Sequence, residues 1–109
     1  MNDLLQKHIR TNLWFNPGVS PECEIRDAIE PYTASHTEWN GLVPDYRMPE
    51  ARRIMLDHFK KHQLDLGVSG YKMDENDGYD NWLWPDVATF PSGTIDGYEE
   101  VNRIQVDNV

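Results

Sequence analysis

Residues 67–78 read Gly67-Val68-Ser69-Gly70-Tyr71-Lys72-Met73-Asp74-Glu75-Asn76-Asp77-Gly78. A short, half-apolar run ends there in a cluster of carboxylates, and the residues just before it have the pattern of a helix end. A strand that follows a helix and finishes in acids is typical of an α/β barrel, where catalytic groups lie at the carboxyl ends of the strands. The stretch therefore predicts an enzyme whose chemistry involves Asp74.

The helix before this stretch is the clearest element of the sequence. Pro49 suits a first helical position, Glu50 lies in the first turn where the helix dipole favours an acid, and Gly67 is a natural stop after Leu66. Val68–Met73 is then predicted to be a strand. One face of the helix repeats at three- to four-residue spacing and consists of Ala51, Ile54, Met55, His58, Phe59 and His62.

An earlier strand is predicted over residues 8–16, where the turn signal Pro17-Gly18 ends it. Residues 19–47 are predicted to be irregular, apart from a short helix from Glu24 to Ile29. A loop of this length is typical of a lid or a binding loop. The order strand, loop, helix, strand is a βαβ unit, which implies parallel strands and a right-handed crossover.

The region after Asp74 is polar and aromatic, and it is followed by a turn at Phe90-Pro91-Ser92-Gly93. A helix is predicted to begin between Tyr98 and Val106. A βαβ unit with one further helix is an incomplete fold, because parallel sheets are normally covered on both faces. A (β/α)8 barrel has about 250 residues, whereas this chain has 109. We therefore expect an α/β fold in which residues 1–109 are a fragment of a TIM barrel.

Charge and composition narrow the class of protein. Ten basic residues against 19 acidic ones give a net charge of −9, which argues against nucleic acid or an anionic membrane surface as the main partner. The single cysteine, Cys23, excludes an internal disulfide. The first residues lack the basic region and apolar core of a signal peptide, so a cytoplasmic location is expected unless a signal precedes this chain.

A series of sequence blocks carries a family resemblance. The blocks are Leu13-Trp14-Phe15-Asn16-Pro17, Val43-Pro44-Asp45-Tyr46, Pro49-Glu50-Ala51-Arg52, Gly67 to Gly78, Asn81-Trp82-Leu83-Trp84-Pro85-Asp86 and Phe90-Pro91-Ser92-Gly93. In this order they resemble glycoside hydrolase family 31, whose members act on α-linked sugars such as glucosides and xylosides. The resemblance implies a (β/α)8 barrel, of which this chain supplies about strand 3 to the helix after strand 4. It implies the remainder of the catalytic domain as partner, and no cofactor.

The resemblance also implies roles for three residues. Asp74 corresponds to the nucleophile that ends the fourth strand, and it forms a covalent glycosyl-enzyme. Lys72 corresponds to a lysine near the sugar, and Trp14 lies near the same barrel mouth at the end of the neighbouring strand. Side chains two apart on a strand point to the same side, so Lys72 and Asp74 share a surface. The Lys72 ammonium would favour the charged form of the nucleophile.

A retaining glycosidase needs a second carboxyl group as acid and base, about 5–5.5 Å from the first. In the family this group comes from later strands, so this chain alone is expected to be inactive. Glu75, Asp77, Asp80 and Asp86 are interpreted as loop acids. The alternative for Asp74 is a loop-capping acid, and for Lys72 a strand lysine paired with Glu75 or Asp77. Trp82 and Trp84 suit either a sugar platform or packing under the loop.

No metal site is predicted. Asp74 to Asp80 superficially resembles a calcium loop, but glycine falls at the fifth place rather than the sixth and Pro85 stands where a bidentate Glu is needed. His58 and His62 have the spacing of a zinc pair, but no Glu follows His58, so packing is the favoured interpretation. Cys23 has no activating neighbour that the sequence reveals.

Two other functions stay open at this stage. A non-catalytic carbohydrate-binding or interaction module is the alternative to the enzyme, and it requires the 109 residues to fold alone. Family barrels that run a lyase or transglycosylase reaction are a third possibility, which this region does not separate from hydrolysis.

Overall fold

The computed structural model describes residues 2–16, 18–38, 41–74 and 87–96. Short 3-10 turns at Glu30–Tyr32 and Leu64–Leu66 follow the second and third helices. In the described residues, none of the helices has the length and apolar character needed to cross a membrane. The helices and strands, in chain order, are α1 Asn2–Gln6, β1 Asn12–Phe15, α2 Arg26–Ile29, β2 Thr33–Glu38, β3 Gly41–Pro44, α3 Pro49–His62, β4 Gly70–Met73, β5 Val87–Phe90 and β6 Gly93–Asp96.

The parallel pairing predicted for the βαβ unit is confirmed. Strand β1 pairs in parallel with β4, in a register that runs from Asn12 opposite Gly70 to Phe15 opposite Met73. Both strands are shorter than the sequence indicated. Within the described residues each sheet has two strands, which neither builds a barrel nor excludes one, so the partial TIM barrel stays a prediction.

Helix α3 begins where the sequence placed it and ends earlier. Pro49 is its first residue, and Met48 precedes it in an extended conformation. The predicted continuation to Leu66 is wrong, because Gln63 leaves the helical region and a 3-10 turn takes over. Gly67 closes that turn with φ 98° and donates its N–H to Leu64 O at 3.0 Å. Glycine adopts this left-handed conformation without steric cost.

The prediction that residues 19–47 are irregular is wrong. Strands β2 and β3 form an antiparallel pair, and Val19 forms a bridge with Leu42 through two backbone hydrogen bonds of 2.9 and 2.8 Å. Strand β2 reads Thr-Ala-Ser-His-Thr-Glu, which lacks the apolar alternation that identifies a strand in a sequence. Backbone pairing with β3 therefore defines this strand. The predicted helix from Glu24 is reduced to α2.

The main core lies between α3 and the segment that precedes it. It is built on the side chains of Val19, Ile29, Tyr46, Ala51 and Met55, all of which are buried. Ala51 and Met55 confirm the apolar face predicted for α3. Since Val19 and Ile29 come from the segment before β2, the residues predicted to form a free loop are held against the helix.

A smaller aromatic cluster attaches α3 to the parallel strands. The ring of Phe59 on α3 meets Phe15 of β1 edge to face, with centroids 4.8 Å apart, and lies 6.2 Å from the ring of Tyr71 on β4. Exposed and half-buried side chains alternate along β1. Helix α3 therefore covers one face of the strand pair, and Trp14 and Lys72 lie on the other.

Tyr71→Phe is expected to leave stability unchanged or to raise it by up to about 1 kcal/mol. The Tyr71 hydroxyl is buried and has no hydrogen-bond partner among the described residues, and burial raises its pKa. The substitution removes this unsatisfied oxygen and keeps the ring in place. Urea denaturation of both chains measures the difference. A marked loss of stability in Tyr71→Phe would show that the hydroxyl has a partner, and would contradict this account.

The turn predicted at Phe90-Pro91-Ser92-Gly93 is confirmed, because Pro91 and Ser92 connect β5 to β6. The helix predicted to begin between Tyr98 and Val106 lies outside the described residues. The same holds for Glu75, Asp77, Asp80, Trp82, Trp84 and Asp86.

Candidate active site

The register of the parallel strands sets the position of the candidate site. Trp14 on β1 is directly opposite Lys72 on β4, and partners in a parallel pair point to the same face. Asp74 follows the last residue of β4, and its backbone N–H donates to Phe15 O at 2.8 Å. The ladder thus continues for one step beyond the strand. Asp74 is held at the carboxyl end of the pair, on the face that α3 does not cover.

Three side chains converge at this point. The indole Nε1–H of Trp14 donates to Asp74 Oδ2 at 2.8 Å, and the ammonium of Lys72 donates to the same oxygen at 2.5 Å. The structure therefore brings together all three residues that the sequence proposed for the site. Lys72 pairs with Asp74, whereas the alternative partners Glu75 and Asp77 lie outside the described residues.

The arrangement favours a charged, accessible carboxylate. An ammonium and an indole N–H that both donate to one carboxylate oxygen stabilise the anion over the neutral acid. The Asp74 side chain is 35% exposed, so a substrate can reach it from solvent. Trp14 is 58% exposed, and its flat ring offers an apolar surface of the kind on which sugar rings stack.

A buried aspartate, Asp45, is the main feature that the sequence did not reveal. Its side chain has no exposed surface. Arg47 donates to it from Nε at 3.1 Å, and Ser92 donates from its backbone N–H at 3.1 Å and from its hydroxyl. Burial raises the pKa of Asp45, but these hydrogen bonds outweigh burial and hold the pKa below the ordinary value of 3.8.

Asp45 links the β5–β6 turn to the start of α3. The Arg47 guanidinium also donates to Gly93 O at 3.3 Å and lies 5.7 Å from the centre of the Phe90 ring. These contacts explain why two separate blocks of the sequence, Val43 to Tyr46 and Phe90 to Gly93, meet in space. The role is structural, and its only signal in the sequence was an acid within an apolar block.

The residues that could hold a metal lie elsewhere, on the C-terminal half of α3 and in the segment before α2. Glu24, His58 and His62 each offer one ligand atom, and these atoms lie within 4.8 Å of one another. Cys23 also has a neighbour that the sequence did not reveal, because its sulfur is 3.9 Å from His58 Nε2. The interpretation of both histidines as packing residues stays a prediction, and the structure adds that they lie beside Glu24.

No protein-family model matches the chain, and no curated protein matches it significantly. The resemblance to glycoside hydrolase family 31 therefore rests on the sequence blocks.

Proposed function

We propose that this chain is the part of a retaining glycosidase that carries the nucleophile, Asp74. The observation that carries the proposal is the convergence of Trp14 and Lys72 on one oxygen of Asp74, at the carboxyl end of parallel strands. Catalytic groups of (β/α)8 enzymes lie at that end. Within this class, the resemblance points to an enzyme of glycoside hydrolase family 31 acting on α-linked glucosides or xylosides.

The reaction begins when the Asp74 carboxylate attacks the anomeric carbon. A bond forms between that carbon and the carboxylate oxygen, the glycosidic bond breaks, and the departing oxygen takes a proton from a second carboxyl group. Water then attacks the anomeric carbon from the side that the leaving group vacated, gives its proton to the second group, and releases Asp74. The overall reaction is hydrolysis with retained configuration.

Lys72 and Trp14 support this step from β4 and β1. The Lys72 ammonium keeps Asp74 charged before attack, and its long side chain, which is 64% exposed, can also bond sugar hydroxyls. The exposed face of Trp14 receives the sugar ring, while its Nε1–H fixes the carboxylate. The second carboxyl group is supplied by the remainder of the catalytic domain.

The face of the strand pair that α3 does not cover supports the proposal that residues 1–109 belong to a larger barrel. Parallel sheets are normally covered on both faces, yet Trp14 and Lys72 lie open on the face away from α3. Leu56, Leu64 and Leu66 are also large apolar side chains that are exposed. Further strands and helices of a barrel would bury the three leucines and surround the other face, while the mouth of the barrel at Trp14 and Lys72 would stay open to substrate.

Mechanism-based labelling tests the assignment directly. A chain that includes the rest of the barrel is treated with a fluoroglycoside that traps the covalent intermediate, and the labelled peptide is found by mass spectrometry. We expect the label on the peptide that contains Asp74. A label on a different peptide, in a chain where Asp74→Asn keeps its activity, would remove Asp74 from the mechanism.

The alternative function is a non-catalytic carbohydrate-binding module. One observation favours it: the exposed Trp14 ring could bind a sugar without any chemistry at Asp74. This alternative predicts that the 109-residue chain binds oligosaccharides by itself without cleaving them. No sugar binding by the isolated chain, together with cleavage once the rest of the barrel is present, supports the barrel fragment.

A further inference from the structure

A second cluster of polar side chains lies on the C-terminal half of α3. His58 and His62 are one helical turn apart and therefore share a face, with ring centres 4.7 Å apart. Glu24 reaches them from the segment before α2. Its Oε1 accepts a hydrogen bond from His62 Nε2 and lies 3.5 Å from His58 Nδ1. Two histidines of the helix thus approach a single carboxylate oxygen that belongs to a separate segment.

The environment of His58 indicates a ligand at this cluster. Its Nδ1 is buried and has no hydrogen-bond partner among the described residues, and the ring as a whole is only 19% exposed. A buried polar atom without a partner is costly. The other ring nitrogen, Nε2, faces the sulfur of Cys23 at 3.9 Å. With its proton on Nε2, the ring directs the lone pair of Nδ1 towards Glu24 and His62.

We propose that Glu24, His58 and His62 bind a zinc ion, through Glu24 Oε1, His58 Nδ1 and His62 Nε2. His62 then carries its proton on Nδ1, and the zinc ion replaces the hydrogen bond between His62 Nε2 and Glu24. Two histidines and one glutamate are a known zinc ligand set, in which water takes the fourth tetrahedral position. The other ring nitrogen of His58, Nε2, lies 3.9 Å from Cys23 Sγ, so it is not the nitrogen that faces the ion.

The geometry needs only a small adjustment to hold the ion. Zinc ligands at about 2.0–2.2 Å in a tetrahedron lie roughly 3.4 Å apart, compared with separations of up to 4.8 Å in the structure. The side chains of Glu24 and His62 are 53% and 39% exposed, so both can rotate towards a common centre. His58, which is better buried, supplies the fixed position.

Side-chain nitrogens of His58, Lys61 and His62 all lie near Oε1 of Glu24, and the lysine has to leave when a cation binds. Lys61 Nζ lies 3.7 Å from the same oxygen, and its side chain is 71% exposed. A dication displaces this lysine into solvent, where an ammonium is well hydrated.

The ion has a structural role in this proposal. It ties the segment at Cys23 and Glu24 to α3, in the way a crosslink would, and binding to the folded chain alone stabilises that chain. The site uses none of the residues assigned to glycoside cleavage. Its test is therefore independent of the proposed function.

Isothermal titration of the 109-residue chain with zinc chloride at neutral pH tests the proposal. We expect one ion per chain, and a zinc affinity at least about tenfold lower in His62→Gln, because loss of a ligand costs no less than loss of an outer-shell partner. His36→Gln is the matched control, since His36 is an exposed histidine on β2 and undergoes the same chemical change. Its affinity for zinc should equal that of the unmodified chain.

A second variant and a second readout complete the test. Glu24→Gln alters an exposed side chain outside the helix and is expected to weaken zinc binding as His62→Gln does. Zinc should raise the Tm of the unmodified chain and of His36→Gln, and a chelator should reverse the rise. The Tm of His62→Gln and that of Glu24→Gln should not change when zinc is added. Absence of zinc binding, or equal weakening by His36→Gln and His62→Gln, would overturn the site.

Discussion

Asp74→Asn is expected to lower kcat for an α-glucoside by at least about 10³-fold, because in the proposed mechanism a carboxylate oxygen forms the covalent intermediate and an amide is a far weaker nucleophile. The amide keeps the shape of the carboxylate, so KM should change much less than kcat. The measurement is steady-state hydrolysis of an α-glucoside or α-xyloside by a chain that contains the whole barrel. Comparable kcat values for the two enzymes would contradict the role of Asp74.

Asp65→Asn is the matched control for this loss. Asp65 is also a surface aspartate paired with a lysine, with its Oδ1 2.6 Å from Lys60 Nζ, and it lies in the turn after α3. The same chemical change there should leave kcat and KM as they are. Asp74→Ala adds a readout that a misfolded protein cannot give. Its truncated side chain leaves room for azide, which can attack the anomeric carbon of an activated glycoside in place of the carboxylate and restore turnover.

Asp45→Ala is expected to reduce the free energy of unfolding by about 3 kcal/mol, the low end of the range for breaking a buried ion pair. The substitution leaves the Arg47 guanidinium without its carboxylate and the Ser92 N–H without its acceptor. Because Arg47 is 30% exposed, water recovers part of the loss. With an m value of about 2 kcal/mol/M, the urea midpoint should fall by about 1.5 M. Tryptophan fluorescence can follow the transition.

Asp57→Ala provides the comparison for a solvent-exposed pair. Asp57 lies 3.8 Å from Arg53 on the surface of α3, and both side chains are 68% exposed. Such pairs contribute about 0–1 kcal/mol, so the urea midpoint of this variant should be close to that of the unmodified chain. If Asp45→Ala were no less stable than Asp57→Ala, the link between the β5–β6 turn and α3 would not contribute to stability.

The lowered pKa of Asp45 also predicts how the stability of the fold changes with pH. A carboxyl group with a lower pKa in the folded chain stabilises the fold fully above the unfolded value of about 3.9. That contribution is lost as the pH falls through the lower pKa of the folded state. Asp45→Ala should therefore remove part of the decline in stability at acid pH, and the two chains should become more alike there.

Features that depend on neighbouring residues could be predicted from the sequence. Pro49 and Gly67 marked the start of α3 and the turn after it, and the spacing of Ala51 and Met55 identified the buried face. The two-residue spacing of Lys72 and Asp74 placed both on one side of β4. The family resemblance added Trp14 to the predicted site, and the strand register explains why its Nε1–H reaches the same oxygen of Asp74 as Lys72 does.

Features that depend on distant residues could not be predicted in this way. The hydrogen bonds of Asp45 to Ser92 span 47 residues, and that of Glu24 to His62 spans 38. Neither acid has a periodic pattern that reveals its partner. Strand β2 was missed for the same physical reason, since pairing with β3 stabilises it and its own side chains do not.

The hydrogen bond from Trp14 to Asp74 joins residues that are 60 positions apart in the sequence. This separation affects the order in which the chain folds. Closing so long a stretch of chain costs entropy before any contact is gained, and pairings of high sequence separation form slowly. Helix α3 and the β2–β3 pair are local and can form first. Asp74 is therefore expected to acquire its two donors late, when β1 and β4 join, so quenching of Trp14 fluorescence should lag behind the rise of helical signal during refolding.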